Sequence, residues 1–425
     1  MSVSADDAKT KVLPRIGMAT LIGPGLMVAA TGVGAGDLAA ATVGGANFGL
    51  VLIWAIVFGA FFKYVLTEGI ARWQLATDTT IMEGWGQYLP GWIKVYFGTY
   101  MIIWTISVSA ALANACGLGI SNLTGGAVST QWGAVIHSLF GCAFVWIGGF
   151  RGFEKVMKLL IGLMVFTIVL CAVLTFQDVA GTLKGTFVPS IPAGSTGSLL
   201  ALIGGVGGTI TILSYNYWMR EEKMSGAAYL KYVRSDLIVA YVVTAVLAVA
   251  VLLLANQAFF VSGVELNSAT VVQQMAASLG NTLGPLGSFA YSIGFWGAVF
   301  SSLLGVWQGV PYMFADFYGI IRKYPRDVRN QITQVTSTPY RVALVCITLV
   351  PIPLAFIGRP LFLLVTYTIV GSFFIPFLAA TLLYLNNRIK WDSPLKRNGW
   401  GANVVLVLVL VFFLIIGLRD VVGAF

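Results

Sequence analysis

An all-α integral membrane protein of about eleven transmembrane helices is the architecture these 425 residues predict, and three observations carry the expectation. Hydrophobic residues make up 58% of the chain and charged residues 10%, with a mean hydropathy of +0.88, where soluble domains carry about 25% charge. Apolar runs of about 20 residues recur along the chain, and each is long enough to cross a hydrocarbon layer of about 30 Å. When these runs are threaded through a bilayer, the basic residues collect on one side.

Helices are expected at about 16–46, 48–75, 91–122, 130–150, 154–176, 197–219, 232–258, 285–319, 338–357, 360–388 and 400–422. With the N-terminus inside, twenty-one of the twenty-five Lys and Arg residues fall on the cytoplasmic side. Only Lys184, Arg359 and Arg419 fall outside, and Lys63 is left within the membrane. This asymmetry supports the helix count independently of hydropathy, and it predicts a multi-pass protein of the cell inner membrane with its C-terminus outside. The polar start precedes an apolar segment without a small-residue cleavage site, so the first helix is expected to stay.

Net charge of +9 belongs to this topology and does not call for a nucleic acid partner. Cys116, Cys142, Cys171 and Cys346 all sit in apolar runs without metal-ligand spacing and read as packing residues. Nucleotide-binding, zinc-hydrolase and serine-hydrolase motifs are absent, and His137 is the single histidine. Neither an enzyme nor a protein cofactor is expected. The partners expected are the lipid bilayer, a small solute or cation, and a coupling ion, H+ or Na+.

Leu21-Ile22-Gly23 opens the first helix and Leu202-Ile203-Gly204 recurs in the sixth, each before a Gly/Thr-rich stretch. Inverted repeats of five helices place two interrupted helices, the first and sixth, at the midplane where solute binds. The boundaries expected are about 16–176 for one repeat, about 197–388 for the other, and about 400–422 for an extra helix. Residues 31–37 (Thr31, Gly32, Val33, Gly34, Ala35, Gly36, Asp37) form a poor helix core, since glycine costs about 1 kcal/mol per helix site relative to alanine. Irregular backbone at bilayer depth survives only against protein or a water-filled cavity.

Asp37 is an acid deep in an apolar segment, where insertion costs about 2.5–3.5 kcal/mol. It reads as a solute, ion or proton ligand, as a partner of Lys63, or as both. The sixth helix offers Thr209, Thr211, Ser214 and Asn216 after its glycines, an oxygen-only donor set. Substrate contacts are therefore expected from Thr31, Gly34, Gly36, Asp37, Thr209, Thr211, Ser214 and Asn216, with Asp37 the metal ligand if the solute is a metal. Close helix packing is the alternative use of these small residues. Glu68 and Arg72, four apart, should form an ion pair. Lys63, Glu68, Arg72 and Asp316 are the coupling or ion-pair candidates.

Several segments resemble the Nramp family of proton-coupled divalent-metal transporters in order and spacing. They are the opening GPG, LMVAATGVGAGDLAAATVGGANFGL, TEGIARWQLATDTTIMEG and FSSLLGVWQGVPYMFADF. The resemblance implies a LeuT-type (APC superfamily) inverted 5+5 repeat plus one helix. Its metal-site motifs differ here: the family's DPGN falls on Gly34 to Asp37, its MPH on about Thr211 to Leu213, its third-helix acids on about Ala111 and Asn114, and its tenth-helix Gln on about Phe374. Loss of the thioether leaves hard oxygen ligands, which suit ions such as Mg²⁺ or Mn²⁺. A secondary transporter of such a cation is the leading expectation. A neutral or amine-bearing organic solute, held by residues such as Trp104, Asn114, Tyr215, Asn216, Trp296, Trp307 and Gln308, is the alternative, and a channel or receptor-like protein is the third.

Overall fold

The computed structural model describes residues 23–267, 270–357, 360–395 and 397–423. The expected helix start at residue 16 and the basic residues Lys9, Lys11, Arg15, Arg359 and Lys396 lie outside them. Among the described residues the regular structure is helical, and eight continuous stretches are long and apolar enough to cross a membrane. Two are too long for one crossing: Gly36–Thr77 has 42 residues and Thr130–Thr175 has 46, whereas about 20 suffice. Each turns at a left-handed glycine, Gly49 (φ 63°) and Gly149 (φ 59°), a conformation open to glycine at little cost. Counting both double crossings, and adding Trp400–Ile416, gives eleven passes.

Local chemistry sets several of the ends. The second pass, Ile53–Thr77, stops at left-handed Asp78, and Thr80 then starts the short helix Ile81–Tyr88 by accepting the Glu83 N–H at 3.2 Å, half of a capping box. Ser129 and Ser337 cap the fourth and ninth passes in the same way. The tenth pass was expected unbroken over 360–388 but divides into Pro360–Ser372 and Phe374–Arg388. Pro376 has no N–H to give the Ser372 carbonyl, so the helix parts one turn earlier. Helices at Val179–Phe187 and Val271–Leu283, in the connections after the fifth and seventh passes, were not anticipated.

The first pass packs against the seventh and eighth, and the third against the fourth, eighth and tenth. Large apolar side chains such as Phe61, Ile102, Ile147, Phe166 and Val242 point outward. In water such a belt would be unstable; in lipid it is the expected surface.

Candidate functional site

The first pass consists of Pro24–Gly32 and Ala35–Phe48, parted at Val33 and Gly34. The sixth runs from Thr196 through a π-wound turn, Leu200–Gly205, loses helical form over residues 206–209, and resumes at Ile210–Leu213 and Ser214–Glu221. Gly207 (φ 80°) and Gly208 (φ 91°) make this break. The two breaks meet backbone to backbone: a Cβ on Gly32 would lie 2.6 Å from the Gly207 carbonyl carbon. Glycine is thus needed at position 32 for the contact, and at 207 and 208 for their positive φ.

Asp37 is buried, and its Oδ2 accepts the Gly207 N–H at 2.8 Å. Its Oδ1 has no hydrogen-bond partner. Lys63, wholly buried in the second pass, donates from Nζ to the carbonyls of Gly204 (2.7 Å), Val206 (3.2 Å) and Gly208. Asp37 and Lys63 are therefore joined through the peptide between Val206 and Gly207, whose oxygen faces the ammonium and whose N–H faces the carboxylate. Unwinding freed these peptide groups from the helix, and the two charges satisfy them, as buried backbone polar groups require.

Beside the breaks lies a small cavity of about 10 Å³, room for about one water. The first pass contributes Thr31 and Gly32, and the sixth Gly205, Gly208, Thr209 and Thr211. Trp104 of the third pass and Tyr367 of the tenth complete its polar and aromatic wall. Larger concavities lie elsewhere: an apolar groove of about 670 Å³ between the third, eighth and ninth passes, and a recess of about 760 Å³ beside Asp178 and Asn256. Neither reaches the breaks.

The sequence candidates divide accordingly. Thr31, Thr209 and Thr211 line the cavity, although the Thr31 hydroxyl donates to Met27 O at 2.6 Å and its carbonyl accepts from Ser302 Oγ at 2.5 Å. Gly34 and Gly36 serve close packing, since a Cβ on either would run into Ser302 or Tyr367. Ser214 packs on Gly309. Asn216 accepts the Ile81 N–H at 3.3 Å and donates to Ile70 O at 3.5 Å, beyond the cavity. Of the side chains considered for an organic solute, only Trp104 lines it. Trp296 bonds His137 at 2.9 Å, Trp307 bonds Ser138 O at 3.2 Å, Tyr215 bonds Asp236 at 3.0 Å, and Gln308 is held by Trp218 and Tyr312. Asn114 donates to Ala110 O within its own helix. Phe374 belongs to an aromatic cluster with Phe97, Tyr100 and Phe377, and it is Tyr367, Thr368 and Gly371 that meet the breaks.

Toward one end of the bundle the polar groups interlock. Glu68 pairs with Arg72 at 3.0 Å, as expected, and also with Arg234 at 2.8 Å. Glu83 pairs with Arg220 at 2.9 Å and Arg329 at 3.2 Å. Asp316 accepts from Thr80 and Tyr217, both at 2.8 Å. Two buried acids, Glu83 and Asp236, were not among the candidates drawn from the sequence. Asp236, in the seventh pass, accepts the Gly25 N–H at 2.7 Å and the Gly23 N–H at 3.2 Å, and so anchors the start of the first helix. Asp236 follows Lys231, Arg234 and Ser235 at the polar start of its apolar run, where the signal that exposed Asp37, an acid deep among apolar residues, is weak.

Among the described residues no cluster of three or more His, Cys, Asp or Glu side chains could hold a metal ion. The cavity lining therefore offers hydroxyls and peptide oxygens, while the carboxylate of Asp37, which does not line the cavity, bonds Gly207 at the break beside it. The divalent metal cation transporter MntH of Caldanaerobacter subterraneus subsp. tengcongensis is 24% identical, with 93% of this chain and 91% of that protein aligned. MntH of Bacillus subtilis is 22% identical over 94% and 92%. Among solved structures, a mutant of the Eremococcus coleocola manganese transporter superposes with a TM-score of 0.68 at 16% identity, covering 99% of this chain and 90% of that one. MhsT in complex with L-phenylalanine superposes with a TM-score of 0.61 at 17% identity, covering 93% and 98%. These likenesses establish the LeuT-type fold for the eleven passes. The family model described as natural resistance-associated macrophage protein-like matches residues 25–422, nearly the whole chain, and the protein belongs to the Nramp family.

Proposed function

We propose that this chain is a secondary transporter that carries a hard divalent cation, Mg²⁺ or Mn²⁺ in kind, across the membrane by alternating access. The observation that carries the reading is the convergence of two broken helices on Asp37, whose Oδ1 is buried and unpartnered. A buried carboxylate oxygen without a donor is costly for a protein alone and becomes favourable once a cation is present. The relatives named as divalent metal cation transporters support the same substrate class. A single acid suits Mg²⁺-like ions, which keep several waters and are held by one or two carboxylates. The oxygen-only surroundings suit hard ions over soft ones.

In this proposal the repeats, residues 16–176 and 197–388, move relative to one another to widen the small cavity toward either side, with 400–422 appended. The protein lies in the inner membrane with its N-terminus cytoplasmic. The interlocked end at Glu83, Arg220 and Arg329 is then the cytoplasmic closure, in keeping with the basic residues found there. Ala111 and Asn114 stand where the family's third-helix acids fall, so coupling to H+ or Na+ has to use other groups, with Asp37, Glu68 and Asp316 the candidates among the buried acids.

A thermal-shift screen of the purified protein against divalent cations, amino acids and sugars tests the substrate class. Saturable stabilisation by Mg²⁺ or Mn²⁺ without a response to organic compounds is expected. Trp104 and Tyr367 in the cavity wall favour the organic reading, and stabilisation by an amino acid or sugar with no response to any metal would replace the proposal with it.

A further inference from the structure

Lys63 is bound in an unusual way for a buried lysine. Its partners are not carboxylates but three carbonyls of one unwound segment, those of Gly204, Val206 and Gly208. An ammonium group has three N–H donors and no acceptor, and all three are used. A neutral amine would turn a lone pair toward one of these oxygens, so the geometry belongs to the charged form. Converging backbone carbonyls are also how proteins replace the water shell of a monovalent metal ion.

We propose that Gly204, Val206 and Gly208 form a monovalent-cation cage and that Lys63 is its tethered occupant, standing where a free ion would otherwise bind. The tether supplies the positive charge that holds the broken sixth helix in place, with Asp37 balancing it across the Val206–Gly207 peptide. The transported cation is then received at the free Oδ1 of Asp37 and not in the carbonyl cage. This part rests on the transport reading; the cage itself does not.

Lys63→Met tests it, because methionine has nearly the shape of the lysine stem, with sulfur in place of Cδ, and ends one atom short of Nζ, leaving a vacancy of about ammonium size. Lys63→Ala is the second variant, with more room. Melting of each purified protein is compared in lithium, sodium, potassium and ammonium chloride against N-methylglucamine chloride at equal ionic strength. The wild type should be indifferent to the monovalent cation. At least one variant should gain several degrees, saturably, in one small-cation salt, and its divalent uptake in proteoliposomes should then require that ion. Melting of both variants that is equal in every salt overturns the cage, as does failure of both to fold in all of them. Divalent uptake by the wild type separates the two ideas. Salt-dependent variants alongside a wild type that moves no divalent ion would leave the cage standing and sink the transport reading, whereas salt-blind variants alongside an active wild type would sink the cage alone.

Discussion

Replacing Asp236 by alanine should release the N-terminal half of the first helix. The carboxylate is 1% exposed and accepts three hydrogen bonds: Gly25 N–H at 2.7 Å, Gly23 N–H at 3.2 Å and Tyr215 O–H at 3.0 Å. Two of these come from the start of a helix, where backbone N–H groups lack partners and negative charge is favoured. Hydrogen bonds to a charged group are worth about 1.5–3 kcal/mol each, and bonds sharing one acceptor do not simply add. A loss of about 3–4 kcal/mol is therefore expected for Asp236→Ala, with the Tyr215 hydroxyl and two amides left unpaired. Much of it should appear as local opening, because Pro24–Gly32 is a short helix with its C-terminal end already broken. At about 1.4 kcal/mol per decade, amide exchange over residues 26–30 should quicken by about 100- to 1000-fold. Hydrogen–deuterium exchange by mass spectrometry in detergent reads this directly. Asp236→Asn, which keeps an acceptor without the charge, should fall between. Unchanged exchange over 26–30 in Asp236→Ala would refute the anchoring role.

Other perturbations follow from the same geometry. Gly32→Ala places a methyl 2.6 Å from the Gly207 carbonyl carbon and should lower the melting temperature and abolish uptake. Gly162→Ala, in the fifth pass with nothing within 4 Å of the added carbon, should be neutral or stabilising by up to about 1 kcal/mol in the same melts. Glu83→Gln removes the shared partner of Arg220 and Arg329 from a site where Glu83 is 4% exposed. Breaking a buried pair costs about 3–5 kcal/mol, and cysteine accessibility at the Arg220 end of the bundle should rise as that closure loosens. Asp316→Asn should leave divalent binding in thermal-shift titrations intact and alter only transport, because Asp316 bonds Thr80 and Tyr217, away from the cavity.

Much of the fold was legible because membranes impose strict rules. Length, hydropathy and the side on which Lys and Arg fall each constrain the crossings, and they agreed on eleven. The break in the first helix was legible in its glycines: the stretch 31–37 was expected to be irregular, and the helix parts at Val33 and Gly34. The division of the tenth pass was missed although Pro376 marks it, since an apolar run hides a local loss of one hydrogen bond. The site was legible in outline and less so in detail. A pairing of Asp37 with Lys63 was one of the readings open for that acid, but a sequence carries no sign that a peptide group would stand between them. Ser214 and Asn216 were grouped with Thr209 and Thr211 by proximity along the chain. Helix resumes at Ile210, which carries residues 214 and 216 a further turn away and onto neighbouring helices. Tyr367 gave no signal because aromatic residues are common throughout membrane helices.

Uptake of radiolabelled manganese into proteoliposomes, wild type beside Asp37→Asn, tests the central claim most directly. The wild type should show saturable uptake that excess Mg²⁺ competes away, and Asp37→Asn should retain its fold by melting and size exclusion while losing uptake to the level of empty vesicles. Undiminished, saturable uptake by Asp37→Asn would contradict the account, for the broken helices would then surround a carboxylate that transport does not use.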